Sequence, residues 1–454
     1  VKGRLAFGAF SFGLAAAAGV AAAAVVAGLG GPAGRDVAAA PAAVATPWPR
    51  LAHVRTHVYY GLNDVNADVP AAWMAHHVDS VEDDGFEAQH ALAFKRAGGQ
   101  FAMAYTDPTY VPHCPPPFVP PAGMCEGPIG NLVARDESAW VHDARGTRVH
   151  RFVSARFQYQ EILRVGSPSA RRAYARTTAA ILAKSPLLDA FEADDSGGTI
   201  TSGDGRFGSN LWGDFSAPGV EFRSDEEWIA GEALMLAAAG RPVMLNGADP
   251  NWQPAYGGKF LDLPFVVGQQ FEGCFNNGGG YRYTERDDAF RKEANGILAV
   301  QAHHKSAYCY PTGDTSPEHR LYAYAAWLLV FDPHWSVYEM EVAQSDGHAL
   351  YPETELVPRD PARTANTVDD LRDGGAYVRE FGACTISGRA IGACASVVNA
   401  DSRATAALPR LRRAYNAHVE LDARSLFAGG AARVARGVPQ SLPPATAAIL
   451  VVQP

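Results

Sequence analysis

The chain has 454 residues, 47% of them hydrophobic and only 19% charged, with a formal charge of −9. That composition supports a large buried core and excludes global disorder; at about 150 residues per domain, the length leaves room for about three domains, or for one large barrel and an accessory module. The acidic balance argues against a phosphate-backbone binder, which needs a basic excess to displace counterions.

The first stretch reads as targeting. Lys2 and Arg4 precede an apolar, Ala/Gly-rich run from Leu5 to Gly30. It is longer than the about 7–15 residues of an ordinary signal-peptide core. Residues 1–45 are therefore expected to be a signal peptide, cut near Ala43-Val44-Ala45, or an uncleaved membrane anchor. Val1 in place of Met suggests an alternative bacterial start codon, so the expected location is secreted, periplasmic or on the cell envelope. Residues 31–50, rich in Ala, Pro and Gly, read as a linker.

From Arg55 on, short apolar runs alternate with helical stretches. His57–Leu62 (HVYYGL) is the first predicted strand and Trp73–Val81 (WMAHHVDSV) the second, before a helix over Phe86–Ala97 with a Gly-Gly stop. Phe101–Tyr105 (FAMAY) is the third. A Pro-rich excursion follows, then a helix over Ser167–Lys184 that opens on Ser-Pro. Leu187–Ala193 (LLDAFEA) is the fourth strand. The helix Ser224–Gly240 has an acidic first turn, which suits the positive end of its dipole. Pro242–Asn246, Phe265–Phe271 and Ile297–Ala302 (ILAVQA) are the fifth to seventh strands; a helix over Glu318–Leu329 leads to the eighth, Trp335–Met340.

That rhythm predicts an α/β fold, a (β/α)8 TIM barrel over residues 46–371. An open doubly wound sheet has the same local pattern but ranks second, because no Gly-rich phosphate loop follows the first strand. After residue 372 the pattern turns to short strands, Tyr377–Phe381, Ala395–Asn399, Ala417–Asp422 and Ala447–Val452. Residues 372–454 are expected to form a small C-terminal all-β, sandwich-like domain.

Six cysteines follow the leader, an even count that reads as disulfides in an exported chain. Proximity along the chain favours Cys114–Cys125, Cys274–Cys309 and Cys384–Cys394. A zinc site is the competitor, but no CxxC spacing occurs.

In a barrel of this kind the active site lies at the carboxyl ends of the strands. The fourth strand ends in Glu192-Ala193-Asp194-Asp195-Ser196-Gly197-Gly198, where alternation puts Glu192 and Asp194 on one face and Asp195 on the other. The same composition also suits an ordinary turn. The sixth strand runs into Glu272, beside Cys274. Strand ends four and six are about 90° apart around an eight-strand ring and face one hollow. Two carboxyl groups across a hollow suit glycosidic cleavage, one attacking the anomeric carbon and one protonating the leaving oxygen.

The run Asp189-Ala190-Phe191-Glu192-Ala193-Asp194-Asp195 resembles the fourth strand of bacterial glycosyl-hydrolase-like barrels, distant kin of the dextranase and alpha-galactosidase type. The segment from Glu137 through Trp140 and Asp143 to Gly146 is similar to one that such proteins carry before that strand, and Leu442–Leu450 resembles the last strand of their β modules. The chain departs from the pattern with Ala190 where Gly is usual and Glu192 where Phe is usual. The resemblance implies Asp194 as nucleophile, with Asp195 as the fallback, and Glu272 as acid/base.

Aromatic faces stack on sugar rings and amides bond hydroxyls. On that basis Tyr60, Asn63, Tyr105, Asp107, Trp140, Glu192, Asn246, Gln270, His303 and Trp335 are the expected substrate contacts, with Asp79 and Glu82 as weaker candidates. Each also has a plain reading as core or loop. The pairs His76-His77 and His303-His304 invite a metal, but strand neighbours point to opposite faces and no HxH occurs, so no metal and no cofactor are expected. The expected function is a secreted glycoside hydrolase or transglycosylase acting on a poly- or oligosaccharide. Its competitors are a non-catalytic carbohydrate-binding envelope protein on the same scaffold and a metal-dependent hydrolase.

Overall fold

The computed structural model describes residues 54–60, 66–83, 87–113, 127–151, 159–196, 201–202, 206–207, 211–212, 225–247, 257–277, 281–313, 315–339, 350–361, 365–421 and 432–453. The expected leader, the loop position Asn63 and the pair Cys114 and Cys125 lie outside these residues.

Eight parallel strands close into a barrel in chain order. They are β1 (Thr56–Tyr59), β2 (Ser80–Asp83), β3 (Phe101–Thr106), β4 (Ala190–Ala193), β5 (Val243–Asn246), β6 (Val266–Glu272), β7 (Ser306–Tyr310) and β8 (Ser336–Glu339). The ring closes where Thr56 and His57 of β1 register with Tyr338 and Glu339 of β8. The helices between strands include α1 (Ala71–His77), α2 (Gln89–Arg96), α3 (Pro168–Lys184), α4 (Asp225–Ala237), α5 (Gly257–Leu261), α6 (Ala289–Ala302) and α7 (Pro317–Val330). Ser167 starts α3 as expected, its side chain accepting from the Ser169 N–H while Pro168 takes the first helical position. Gly231 of α4 brings that helix onto Gly166, so closely that a Cβ there would stand 2.7 Å from the Gly166 nitrogen.

Two predicted strands are corrected. Trp73–Val81 is mostly helix α1, and the strand is the polar SVED of β2, all four residues buried. A barrel strand is covered on both faces, so its sequence need not alternate. Ile297–Ala302 is the last part of α6, whose buried Phe290, Glu293, Ala294, Ile297, Val300 and Gln301 recur at helical spacing. The seventh strand is SAYCY, four residues further on.

Beyond the barrel lies an antiparallel sheet. Its strands are β9 (Leu356–Pro361), β10 (Ala376–Ile386), β11 (Arg389–Asn399), β12 (Ala417–Glu420), β13 (Arg433–Arg436) and β14 (Thr446–Val451), ordered β9-β10-β11-β14-β12-β13, with Arg372–Asp373 pairing to β10. A two-stranded ribbon of Ala406–Ala407 and Ser441–Leu442 packs with Ala395, Val397 and Leu450 in one apolar cluster. The sheet also meets α7, where the Ser396 hydroxyl donates to the Ala325 carbonyl at 2.6 Å. Arg379 donates from Nη1 to the carbonyls of Leu329 and Phe331, both at 2.9 Å, and so closes the carboxyl end of α7. Tyr322 through Val330 are all buried, as a helix covered on every side requires.

Candidate active site

The inward residues follow from register and alternation. His57 and Tyr59 of β1, Glu82 of β2, Met103 and Tyr105 of β3, and Ala190 and Glu192 of β4 share the interior face. Met103, Ala190, Met244, Tyr308 and Val337 form an apolar plug low in the barrel. Above it, at the carboxyl ends of the strands, acids gather.

Asp194 is the residue after β4, and its N–H still bonds the Thr106 carbonyl of β3 at 2.9 Å. Asp195 then turns the chain with φ 51°. Ser196 donates its N–H to the Asn246 carbonyl at 2.9 Å. Gly247, at φ 120°, admits that crossing, because a Cβ there would stand 3.1 Å from the Ser196 carbonyl oxygen. The elbow fixes Asp194 between two strands.

Three donors hold the half-buried Asp194 carboxylate. Tyr105 Oη donates to Oδ2 at 2.8 Å, Asn246 Nδ2 to Oδ1 at 3.0 Å, and the Asp195 N–H to Oδ1 at 2.8 Å. Donors favour the ionised form. Burial opposes them, as do the charges of Asp195, Asp107 and Glu272, and the balance pushes Asp194 above the usual carboxylate range. Glu272, the last residue of β6, comes to the same mouth: Asp194 feels its charge, and Asn246 makes a looser contact with Glu272 that favours its carboxylate. Glu272 stays exposed at the strand end, yet protein crowded around it and the Asp195 charge push its pKa upward. The Cys274–Cys309 disulfide, with Cα atoms 5.2 Å apart, ties the turn after Glu272 to β7. Cys384–Cys394 also forms, between β10 and β11.

Tyr105 and Asn246 thus sit at the site, and Asp107 lies beside it, its Oδ1 accepting from the N–H groups of Thr109 and Tyr110. Other expected contacts lie elsewhere. Glu192 is fully buried below the mouth, and Gln270, also buried, donates to Glu339 Oε2 at 3.1 Å. Tyr60 points out of the barrel, its hydroxyl donating to the Val69 carbonyl at 2.6 Å, because alternation turns Tyr59 inward instead. Trp140 is buried in the β3–β4 excursion, its Nε1 donating to the Val133 carbonyl and the Arg148 guanidinium 4.3 Å above its ring. His303 follows α6 and lies at the amino end of the barrel, 3.0 Å from Asp262; the misplaced seventh strand caused that error. Trp335 precedes β8 and Asp79 precedes β2, both at that same end.

Sequence reasoning missed Tyr59 and Tyr310. These half-buried residues end β1 and β7, and their rings lie 5.7 Å apart. Alternation from His57 points to Tyr59; Tyr310 needs the true seventh strand. Among the described residues, no group of three or more His, Cys, Asp and Glu side chains is arranged to hold a metal ion, and no helix is long and apolar enough to cross a membrane.

No protein-family model and no curated protein matches the chain. Solved structures similar to it include an Arthrobacter globiformis isomalto-dextranase complexed with panose, at 12% identity and TM-score 0.42 over 90% of this chain and 76% of that one. A Flavobacterium johnsoniae dextranase complexed with glucose has 12% identity and TM-score 0.42, over 90% of this chain and 52% of that one, so the chain spans about half its length. Aspergillus fumigatus Ega3 in complex with galactosamine has 13% identity and TM-score 0.33, over 60% of this chain and 83% of that one.

Proposed function

We propose that this barrel is a glycoside hydrolase acting on a poly- or oligosaccharide, with Asp194 as nucleophile and Glu272 as general acid/base. The observation that carries the reading is two strand-end carboxyls at one mouth, with the Asn246 amide against both. Asp194 attacks the anomeric carbon while Glu272 gives its proton to the glycosidic oxygen, which leaves. Glu272, now a base, takes a proton from the water that displaces Asp194. The roles need Asp194 ionised, which its three donors favour, and Glu272 protonated, which its raised pKa favours. Tyr59 and Tyr310 offer aromatic faces to a sugar ring. The reaction needs no cofactor. Residues 46–371 carry the activity, residues 372–454 support the barrel, and residues 1–45 export it. The two disulfides among the described residues fit that oxidising destination.

The test is reducing-sugar release from a panel of α- and β-linked glycans. Glu272→Gln should lower turnover by about 10²–10⁴-fold, and Asp194→Asn should abolish it, both with folding and glycan binding retained. A wild-type protein that binds glycans and releases nothing is a carbohydrate-binding protein instead.

A further inference from the structure

A second carboxyl on β4 takes no part in that reaction. Glu192 faces inward two residues before Asp194, in register with Tyr105 of β3 and Met244 of β5. It is fully buried, and among the described residues neither carboxyl oxygen has a hydrogen-bond partner. Asp194, by contrast, has three donors.

Among the described residues, the charged groups that bear most on Glu192 are acids. They are Glu82 of β2, Asp194 just after its own strand, Glu272 of β6 and Asp107 after β3. The phenols of Tyr59 and Tyr105 share the interior face from β1 and β3, and Tyr174 of α3, bonded to Thr106 on the outer side of the barrel, is near enough to feel the Glu192 charge. His57 of β1 shares the interior, with Nδ1 2.8 Å from Ser80 Oγ and Nε2 3.7 Å from Glu82 Oε2. Burial pushes its imidazole down to about 3, so it stays neutral. Burial and the Glu82 charge push Glu192 far above the carboxylate range. Two acids on one strand face, with further acids bearing on both, cannot both ionise readily, and the donors decide which one does.

We propose that Glu192 is a positioning residue that keeps its proton at neutral pH and leaves the charge of β4 to Asp194. The consequence for turnover rests on the hydrolase reading above; the protonation state does not. A charge on Glu192 would compete with the ionised Asp194 that attack requires.

Infrared spectroscopy of the full chain at neutral pH tests this directly, without any ligand. The carbonyl band of a protonated carboxyl should be present in wild type, persist in Asp194→Asn and shrink in Glu192→Gln. A wild-type spectrum with no such band overturns the proposal even if Glu192→Gln does not fold, and so does a folded Glu192→Gln protein whose band is undiminished. In the pH–rate profile on the glycan hydrolysed fastest, Glu192→Gln should leave the acid limb in place. A limb moved to lower pH by a unit or more means that Glu192 carried a charge beside Asp194, and overturns the proposal. A wild-type protein that shows the band and hydrolyses nothing sinks the hydrolase reading alone.

Discussion

Tyr105→Phe tests how the β4 carboxylate is held, because it removes one oxygen and leaves the ring. The lost hydroxyl is the donor to Asp194 Oδ2 at 2.8 Å, while Oδ1 keeps the Asn246 amide and the Asp195 N–H. The ionised carboxylate therefore goes from three donors to two. A hydrogen bond to a charged group contributes about 1.5–3 kcal/mol, and each 1.36 kcal/mol is tenfold in rate. The expected loss in kcat/KM is about 10- to 150-fold. It falls on the ionised form, so the pKa of Asp194, already raised by burial and by Asp195, rises further. The acid limb of kcat/KM should move to higher pH, with the greatest loss on the acid side. Initial rates of reducing-sugar release across the acid and neutral range measure this, with circular dichroism melting as the control for folding. A folded variant with its acid limb unmoved would refute the claim that Tyr105 holds an ionised Asp194 in the working enzyme.

Three further outcomes can be measured. Gly231→Ala places a Cβ 2.7 Å from the Gly166 nitrogen, where backbone cannot yield easily; it should cost about 1–3 kcal/mol, read as a lower melting temperature at unchanged fold. Replacing Cys274 and Cys309 by alanine opens a crosslink spanning 35 residues, which chain entropy values at about 3–4 kcal/mol. Because Cys274 stands two residues past Glu272, turnover should fall with it even at temperatures where the variant is folded. Arg379→Met leaves the carbonyls of Leu329 and Phe331 without their buried donor; a loss of about 1–3 kcal/mol is expected, seen as a lower urea midpoint.

The barrel was legible because strand and helix periods alternate so regularly, and β3, α3, β5 and α7 stand within a few residues of their predicted places. Two strands were hidden for opposite reasons. SVED is too polar to look buried, yet Glu82 turns into the closed barrel while Asp83 turns outward and accepts from the N–H groups of His90 and Ala91 at the start of α2. ILAVQA is too apolar and β-branched to look helical, yet it ends α6, with Ile297, Val300 and Gln301 on the buried face of that helix. The second error carried His303 to the wrong end of the molecule and concealed Tyr310. The strand-end positions of Asp194 and Glu272 were legible because chain order alone says which end of a parallel strand is the mouth. Which neighbours hold them depends on register, so Tyr105 and Asn246 became specific partners only in three dimensions, while Trp140 turned out to be packing. The fate of Glu192 rests on an absence of donors around it, and no single-chain pattern encodes that.

The place of β14 in the outer sheet bears on the order in which the molecule can assemble. The last of the sheet's strands in chain order, β14, lies between β11 and β12. Until synthesis has passed residue 451 the sheet is therefore two unjoined halves, and part of the cover over α7 is missing. A nascent chain can curl its staves into a ring well before then, but it emerges with an oily helix only partly covered. Trimming the final strand should for that reason yield aggregation rather than a smaller working protein, and sedimentation of such a truncated chain would show it.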